Sequence, residues 1–315
     1  MNLRQLEIFI AVVEEGSLTR AAERVHTVQP ALTQHIKLLE EEFGIPLLVR
    51  SSRGVRPTDA GRRLVTRAQS IMAQCAALRA HVLGADFAPA GEVRVGMPGT
   101  VSALVSPRLI SAVAARYPDV RVHIVEPMAG VITDWLEQAK VDFAISYRGA
   151  HPRGIDLEKV LTESIDLCGP ARGADGKPGL AGAGTIDFAE ACSLPLVVQH
   201  RGYITREILE GHARQLGCKL NVSIEIDSAG PIKSLVVQGQ GYAFLPPMAT
   251  IAEREQGQLI SRRVVAPEVE RAIFLASVQD RPLNPTAALV RELCQGLMVD
   301  LVRGGIWDAR LEATA

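Results

Sequence analysis

Gly16-Ser17-Leu18-Thr19-Arg20-Ala21-Ala22, followed by His26-Thr27-Val28-Gln29-Pro30-Ala31-Leu32-Thr33-Gln34-His35-Ile36-Lys37, decides how this chain is read. Gly16 stops one helix. Ser17 is a good N-cap for the next, because its hydroxyl accepts an otherwise unpaired backbone N–H. The helix from about Leu18 to Val25 carries Ala21-Ala22, small enough to let another helix cross closely. After a turn at His26-Thr27-Val28, Pro30 falls in the first turn of a third helix, where its missing N–H costs nothing. Leu32, Ile36, Leu39 and Phe43 are spaced to face inward; Gln29, Thr33, Gln34 and Lys37 face out. Two short helices around a tight turn form a helix-turn-helix, whose outer glutamines suit adenine edges and whose threonine suits a phosphate or a thymine methyl. A generic helical hairpin with a polar surface fits the same pattern.

Upstream, Leu3, Leu6, Phe9, Ile10 and Val13 predict an amphipathic helix over residues 3 to 13. Downstream, Leu47-Leu48-Val49-Arg50 and Val55-Arg56-Pro57 flank a polar turn at Gly54, which reads as a small hairpin or wing. From Phe43 to Leu83 there are seven arginines (50, 53, 56, 62, 63, 67 and 79) against one acid, Asp59, and no lysine. Alone, that run fits a solvated helix face as well as a phosphate-binding footprint. Its start at the wing favours the footprint, with Arg50, Arg53 and Arg56 reaching the DNA backbone or minor groove.

Thr58 caps a long helix over residues 59 to 83, with Asp59 at its positive end. Leu64, Ala68, Ile71, Cys75, Leu78 and Val82 recur at alternating spacings of 4 and 3, a heptad seam. At 1.5 Å per residue the helix spans about 37 Å. So narrow a stripe suits dimerisation better than packing within its own domain.

The remaining composition is that of a soluble globular chain: 315 residues, 47% hydrophobic, 22% charged, net charge −1. No window is apolar enough for a transmembrane helix, and the charged start lacks a signal-peptide core. Cys75, Cys168, Cys192, Cys218 and Cys294 are widely spaced with no Cys-x-x-Cys, which argues against a disulfide scaffold or zinc site and for the cytoplasm. No cofactor or metal is expected.

Leu6, Phe9, Gly16-Ser17, Ala21-Ala22, Gln29-Pro30-Ala31-Leu32-Thr33, Ile36, Leu39-Glu40, Leu47, Arg50, Arg53-Gly54 and Thr58-x-Ala60-Gly61 closely resemble the LysR-type transcriptional regulators. Leu48 and Thr33 depart from the usual phenylalanine and serine; Thr33 keeps the hydroxyl. More loosely, Arg53-Gly54-Val55-x-Pro57-Thr58-Asp59-Ala60-Gly61, Pro98-Gly99-Thr100 and Ala144-Ile145-Ser146-Tyr147 are similar to the nitrogen assimilation control subgroup. The resemblance implies a winged helix-turn-helix over 1–58, a linker helix and hinge over 59–90, and a regulatory domain over 91–315. That domain would hold two Rossmann-like subdomains, like those of periplasmic binding proteins: one of 91–162 plus 268–303, the other of 163–267. It also implies a homo-oligomer, tetrameric by family likeness, with double-stranded DNA as partner and RNA polymerase as a contact in an activator. In the subgroup, control through expression level alone is an alternative to an effector.

Within the regulatory part, strands at Glu92–Met97, Val120–Val125 and Val141–Tyr147 alternate with helical stretches, an order that predicts a parallel sheet covered on both faces. A second set of strands is expected near Ile165–Cys168, Pro195–Val198, Val222–Ile226 and Tyr242–Leu245, then a strand over Arg271–Val278 and a helix over Pro285–Arg303. Ligands in such folds sit at strand carboxyl ends, near helix starts. The effector candidates are therefore Thr100, Val101 and Ser102 at a helix start, Val131, Tyr147 and Arg148 after strands, and His200, Tyr203 and Ser228 in the second half. Thr100, Ser102 and Arg148 together favour a small anion such as a carboxylate; ordinary helix capping by Thr100 is the plain alternative. The glycine-rich stretch Ala171 to Gly184 reads as a loop, Gly239-Gln240-Gly241 as a helix end and turn, and Cys192 and Cys218 as buried structural thiols. No catalytic constellation is visible. A small-molecule-binding protein without a DNA role leaves the first 83 residues unexplained, and an α/β enzyme lacks an activated reactive group.

Arginine contacts to phosphate make binding salt-sensitive. Arg53→Ala should weaken binding to every sequence and reduce the slope of log affinity against log salt by about one. An unchanged slope in a filter-binding titration means that Arg53 is merely solvated.

Overall fold

Local capping builds the first third of the chain. The computed structural model describes residues 1–51, 54–84, 87–126, 131–147, 154–171 and 184–312. Helix α1 (Leu3–Glu15) opens with a reciprocal box between Asn2 and Gln5 and closes on Gly16, whose φ of 60° is left-handed. Helix α2 (Leu18–Arg24) starts where the Ser17 hydroxyl accepts the Arg20 N–H. Helix α3 (Gln29–Phe43) takes Pro30 in its first turn. Leu32, Ile36 and Leu39 are fully buried in one cluster with Phe9, Val12, Ala21 and Ala22. Phe43 does not join them: it is 43% exposed, because the chain from Phe43 to Pro46 runs along the surface at the end of the helix.

Strands β1 (Leu48–Ser51) and β2 (Gly54–Pro57) pair antiparallel as the expected wing. Two contacts fasten it. Glu40 Oε1 accepts the Leu47 and Leu48 N–H groups at 2.7 and 3.1 Å. The Val55 N–H donates to the Gly16 carbonyl at 2.9 Å. Gly54 has φ +114°, and a Cβ there would lie 2.6 Å from that same carbonyl oxygen, so the wing can dock only through glycine. Helix α4 (Asp59–Leu83) begins where the Thr58 hydroxyl accepts the Gly61 N–H and donates to the Pro46 carbonyl.

The second part of the chain carries β3 (Gly91–Gly96), α5 (Gly99–Arg116), β4 (Val120–Val125), α6 (Ile132–Glu137), β5 (Phe143–Ser146), β6 (Ile155–Ser164) and β7 (Asp166–Pro170). There follow β8 (Thr185–Asp187), α7 (Phe188–Ser193), β9 (Leu196–Val198), α8 (Ile204–Leu216), β10 (Val222–Glu225), α9 (Ala229–Val237) and β11 (Ala243–Leu245). The chain ends with α10 (Ile251–Glu255), β12 (Leu259–Val265), β13 (Glu270–Val278), α11 (Pro285–Arg303) and β14 (Ala309–Leu311).

These elements form two lobes. One holds a six-stranded sheet in the order β14-β6-β13-β5-β3-β4; the other holds a four-stranded sheet, β11-β7-β12-β8, and the parallel pair β9-β10. The chain passes between lobes twice, at Ile165 between β6 and β7 and between Val265 and Glu270. The expected parallel arrangement holds for its three strands, β3 pairing parallel with both β4 and β5, but the six-stranded sheet as a whole is mixed, because β13 is antiparallel to both β5 and β6. The physical reason is the return crossing. A strand that re-enters the first lobe from the second comes back in the opposite direction and pairs antiparallel. Strands β6, β8, β12 and β14 and helix α7 carry no signal strong enough to have been expected. The ten residues of β6 mix exposed charges with buried positions, and so lack an unbroken apolar run. Each lobe has its own apolar core, around Val95, Leu109, Phe143 and Ile273 in one and Leu167, Phe188, Leu196 and Val264 in the other. The glycine-rich stretch lies outside the described residues apart from its ends, and Gly239 turns the chain after α9 with φ +74°.

Gly61 sits inside α4, where Ala would normally be the better residue by about 1 kcal/mol. Here a Cβ would drive into the Leu47 carbonyl oxygen, a backbone atom that cannot rotate away. Gly61→Ala should therefore destabilise, by about 1–3 kcal/mol, and lower the urea midpoint of the helical first part; a raised midpoint would show that the α4–wing contact yields easily.

Candidate nucleic-acid interface and domain cleft

Helix α3 is anchored by its buried face, which leaves Gln29, Pro30, Gln34 and Lys37 exposed and Thr33 half-buried on the other. Gln29 accepts a hydrogen bond from Thr19 at 3.3 Å, and Lys37 pairs with Glu41 at 3.4 Å, both contacts in solvent. Ser17 spends its hydroxyl on capping α2. Arg50 and Arg56 are exposed on the wing. Register sets Arg50 opposite Val55 and Arg56 opposite Val49, so the two arginines point to opposite faces of the ribbon. A two-stranded ribbon of that kind can address phosphates on both sides of a groove. Arg53 lies outside the described residues.

The heptad seam on α4 divides. Ala68 is fully buried and Leu64 packs on the helix-turn-helix core. Ile71, Leu78 and Val82 are 37, 64 and 75% exposed, an apolar stripe open to solvent, with Cys75 half-buried between them.

Between the two lobes lies a cleft of about 540 Å³. Of the residues expected there, Thr100, Tyr147, Tyr203 and Ser228 line it. Val101 does not: it is fully buried in the core of the first lobe. Ser102 is buried too, against Ser106 one turn along α5. Val131 and His200 stand outside the lining. His200 instead bonds Asp227 at 3.1 Å and packs edge-on against Tyr203 at 5.3 Å, so it shapes the wall from behind. Arg148 lies outside the described residues.

The centre of the cleft is a group that sequence reasoning missed. Arg271, on β13, is almost fully buried. Its Nε donates to Glu163 at 2.6 Å, Nη1 to Thr205 at 2.9 Å, and Nη2 to Thr100 at 3.2 Å and Tyr147 at 3.1 Å. The Thr100 and Tyr147 hydroxyls lie 2.5 Å apart, and the Trp307 indole donates to the other Glu163 oxygen at 2.8 Å. Thr100 therefore does not cap α5; its hydroxyl serves this network. Burial pulls the guanidinium down, Tyr147 and Glu163 more than offset that, and Arg271 is held above its ordinary value. Burial pushes the Tyr147 phenol up to about 12, against the pull of Arg271 and Thr100. The one signal in the sequence was a lone arginine at the start of an apolar strand.

Helices α5, α8 and α9 all begin at this cleft, at Pro98, Tyr203 and Ser228, and none has a side-chain cap. Their amide ends make the site electropositive. At α5 a carboxylate of the chain already answers that charge: Glu126 Oε2 would lie 3.3 Å from a Cβ at Gly99. On the α8 side, Arg206 is nearly buried, pairs with Glu210 at 2.8 Å and leaves its Nη1 without a partner. Leu136, Ile145, Ile232 and Leu245 supply apolar wall. Elsewhere in the second lobe, burial together with the neighbouring Cys218 pushes the Cys192 thiol up to about 12, which keeps it protonated and inert at neutral pH.

Comparison with known proteins agrees with both halves. Residues 3–62 match the bacterial regulatory helix-turn-helix family, lysR type, and residues 88–298 match the LysR substrate binding domain. The chain belongs to the LysR-type regulators. It is 30% identical over 305 residues to the nitrogen assimilation regulatory protein nac of Escherichia coli K12, covering 95% of each chain. The nac protein of Klebsiella aerogenes is likewise 30% identical, over 302 residues, again covering 95% of each chain. Full-length OxyR from Pseudomonas aeruginosa superposes with a TM-score of 0.77 at 25% identity, covering 94% of this chain and 95% of that one. The protein is thus a LysR-type DNA-binding transcriptional regulator with an effector-binding domain. No helix among the described residues is long and apolar enough to cross a membrane.

A phenol raised from about 10 to about 12 favours folding while it stays protonated. That stability is present below pH 10 and is lost as pH rises through the folded value near 12. The difference in ultraviolet titration between wild type and Tyr147→Phe should show a phenolate step near pH 12; a step near pH 10 would mean that the network is open in solution.

Proposed function

We propose that this regulator works as a homo-oligomer whose grip on DNA is set by a small organic anion held between the lobes. The observation that carries the reading is the presence, in one chain, of an exposed recognition helix and a cleft of about 540 Å³ entered by three uncapped helix starts. Gln29, Pro30, Thr33, Gln34 and Lys37 enter the major groove, Ser17 sits at a helix start beside a phosphate, and Arg50, Arg53 and Arg56 hold the flanking backbone. Residues 1–58 bind DNA, 59–90 link and dimerise, and 91–315 sense, divided near 162 and 268. The exposed half of the seam, Ile71, Leu78 and Val82, supports the dimer. An activator of this design also touches RNA polymerase. The reading is non-enzymatic and cytoplasmic.

The anionic end of the ligand is best seated on the α8 and α9 side. There Arg206 has a guanidinium nitrogen to spare, whereas Glu126 opposes an anion at α5. A second reading, control through the amount of protein alone, is favoured by one feature: Thr100, Tyr147, Thr205 and Arg271 already satisfy one another. Small carboxylates added to the full chain separate the two, since a ligand raises the melting temperature and an empty, self-satisfied cleft does not respond. Retention of genomic fragments in low-salt gels tests the whole reading, and failure to retain any fragment would sink it.

Leu78 tests the oligomer cleanly, because at 64% exposure it contributes little to its own protomer. Leu78→Asp should leave the melting temperature of the protomer near wild type while buried charge splits the dimer, at a cost of about 3–5 kcal/mol per unpaired contact. Sedimentation of an intact dimer would assign the interface elsewhere.

A further inference from the structure

A second cavity, of about 450 Å³, lies where α1, α2 and α4 of the DNA-binding part face the sensing part. A continuous polar chain crosses its wall. Arg281, just after β13, is nearly buried. Its Nη2 donates to the Leu136 carbonyl at 2.8 Å and the Val141 carbonyl at 3.3 Å. Leu136 belongs to α6, whose Ile132, Thr133 and Leu136 line the cleft between the lobes. Arg281 Nη1 donates to Gln69 Oε1 at 3.4 Å, and Gln69 Nε2 donates to Glu14 Oε1 at 3.1 Å. Glu14 pairs with Arg24 at 2.7 Å. Glu14 stands in the last turn of α1 and Arg24 ends α2, the two helices on which the recognition helix rests.

We propose that Gln69 couples the position of α6 in the cleft to the DNA-binding domain of the same chain. The inference rests on the ligand reading only for the origin of the signal; the contact itself does not depend on it. A primary amide is the group the position needs, because it accepts from a guanidinium on one side and donates to a carboxylate on the other. Gln69 sits on the long helix α4, so the effector lobe and the helix-turn-helix share one rigid rod. Burial holds the Arg281 guanidinium below its ordinary value, against the pull of Asp142 and Glu14, so its hydrogen-bond partners matter to it. Beside this chain the surfaces are not closely packed. The cavity gives α4 room for a second position, which is what a two-state contact requires. The neighbouring Arg67–Asp280 pair, at 3.2 Å, is exposed on both sides and therefore contributes little.

Coupling is reciprocal, so DNA on α3 must alter the opening of α6. The test uses the full chain and hydrogen exchange of residues 132–137, with and without the genomic fragment retained most tightly in gels. The wild type should slow its exchange by about tenfold on adding DNA. Gln69→Glu sets two carboxylates against each other and should abolish that response. Gln69→Met, similar in volume and free of charge, guards against a folding defect and should abolish it too. Glu14→Gln added to Gln69→Glu should restore it, because the carboxylate at 69 then accepts from both Arg281 and the amide at 14. The proposal is overturned if exchange of residues 132–137 in the wild type is unchanged when DNA binds, if Gln69→Glu responds like wild type, or if the double variant fails to recover. Each of those results leaves the ligand reading standing, since no ligand enters the experiment.

Discussion

The buried Arg271–Glu163 pair is the contact on which the sensing half depends. A guanidinium nine-tenths out of water survives only with its donors satisfied, and removing a partner from such a pair costs about 3–5 kcal/mol. Here the partners come from separated stretches of chain. Glu163 stands opposite Arg271 in the β6–β13 register, Trp307 arrives from the C-terminal turn, Thr100 and Tyr147 from the first lobe, and Thr205 from the second. One side chain thereby fixes the register of the central strands, the placement of the chain end and the gap between the lobes. The pair also lies beside both inter-lobe crossings, and the Arg271–Thr205 hydrogen bond carries it across to the second lobe, so a change in cleft opening would act first on that bond.

The DNA-binding part is built on another principle. Its decisive contacts are short in sequence: Ser17 to Arg20, Asn2 to Gln5, Thr58 to Gly61, Glu40 to the start of the wing. Each cap or turn is specified by two or three neighbouring residues, and the apolar seam between α1, α2 and α3 follows from helical spacing. A longer contact, Val55 to Gly16, depends on two glycines that permit close approach of backbone to backbone. Such local construction leaves the outer face of α3 free to carry polar residues that contribute nothing to stability, which is the condition for reading DNA.

The two parts meet through α4. Its first turns belong to the helix-turn-helix core, its middle touches the sensing half through Gln69, and its last turns expose Leu78 and Val82. A stripe that reads as one heptad seam therefore serves two purposes, because the partner of each residue depends on what the fold sets beside it.

Periodicity, caps and breakers, all encoded within a few residues, were enough to determine the winged helix-turn-helix, the extent of α4 over residues 59–83, the exposed set Gln29, Gln34 and Lys37, and the alternation of strands and helices beyond residue 91. The sequence also located Thr100, Tyr147, Tyr203 and Ser228 at strand ends and helix starts, since that placement follows from topology. Tertiary structure alone decided the antiparallel return of β13, the withdrawal of Val101 and Ser102 into the core, the exposure of Phe43 and the pairing of Arg271 with Glu163. The antiparallel return and the buried ion pair depend on partners some hundred residues apart, 108 in the case of Arg271 and Glu163. No local pattern records which strands a crossing will bring together, or which buried charge a distant carboxylate will meet.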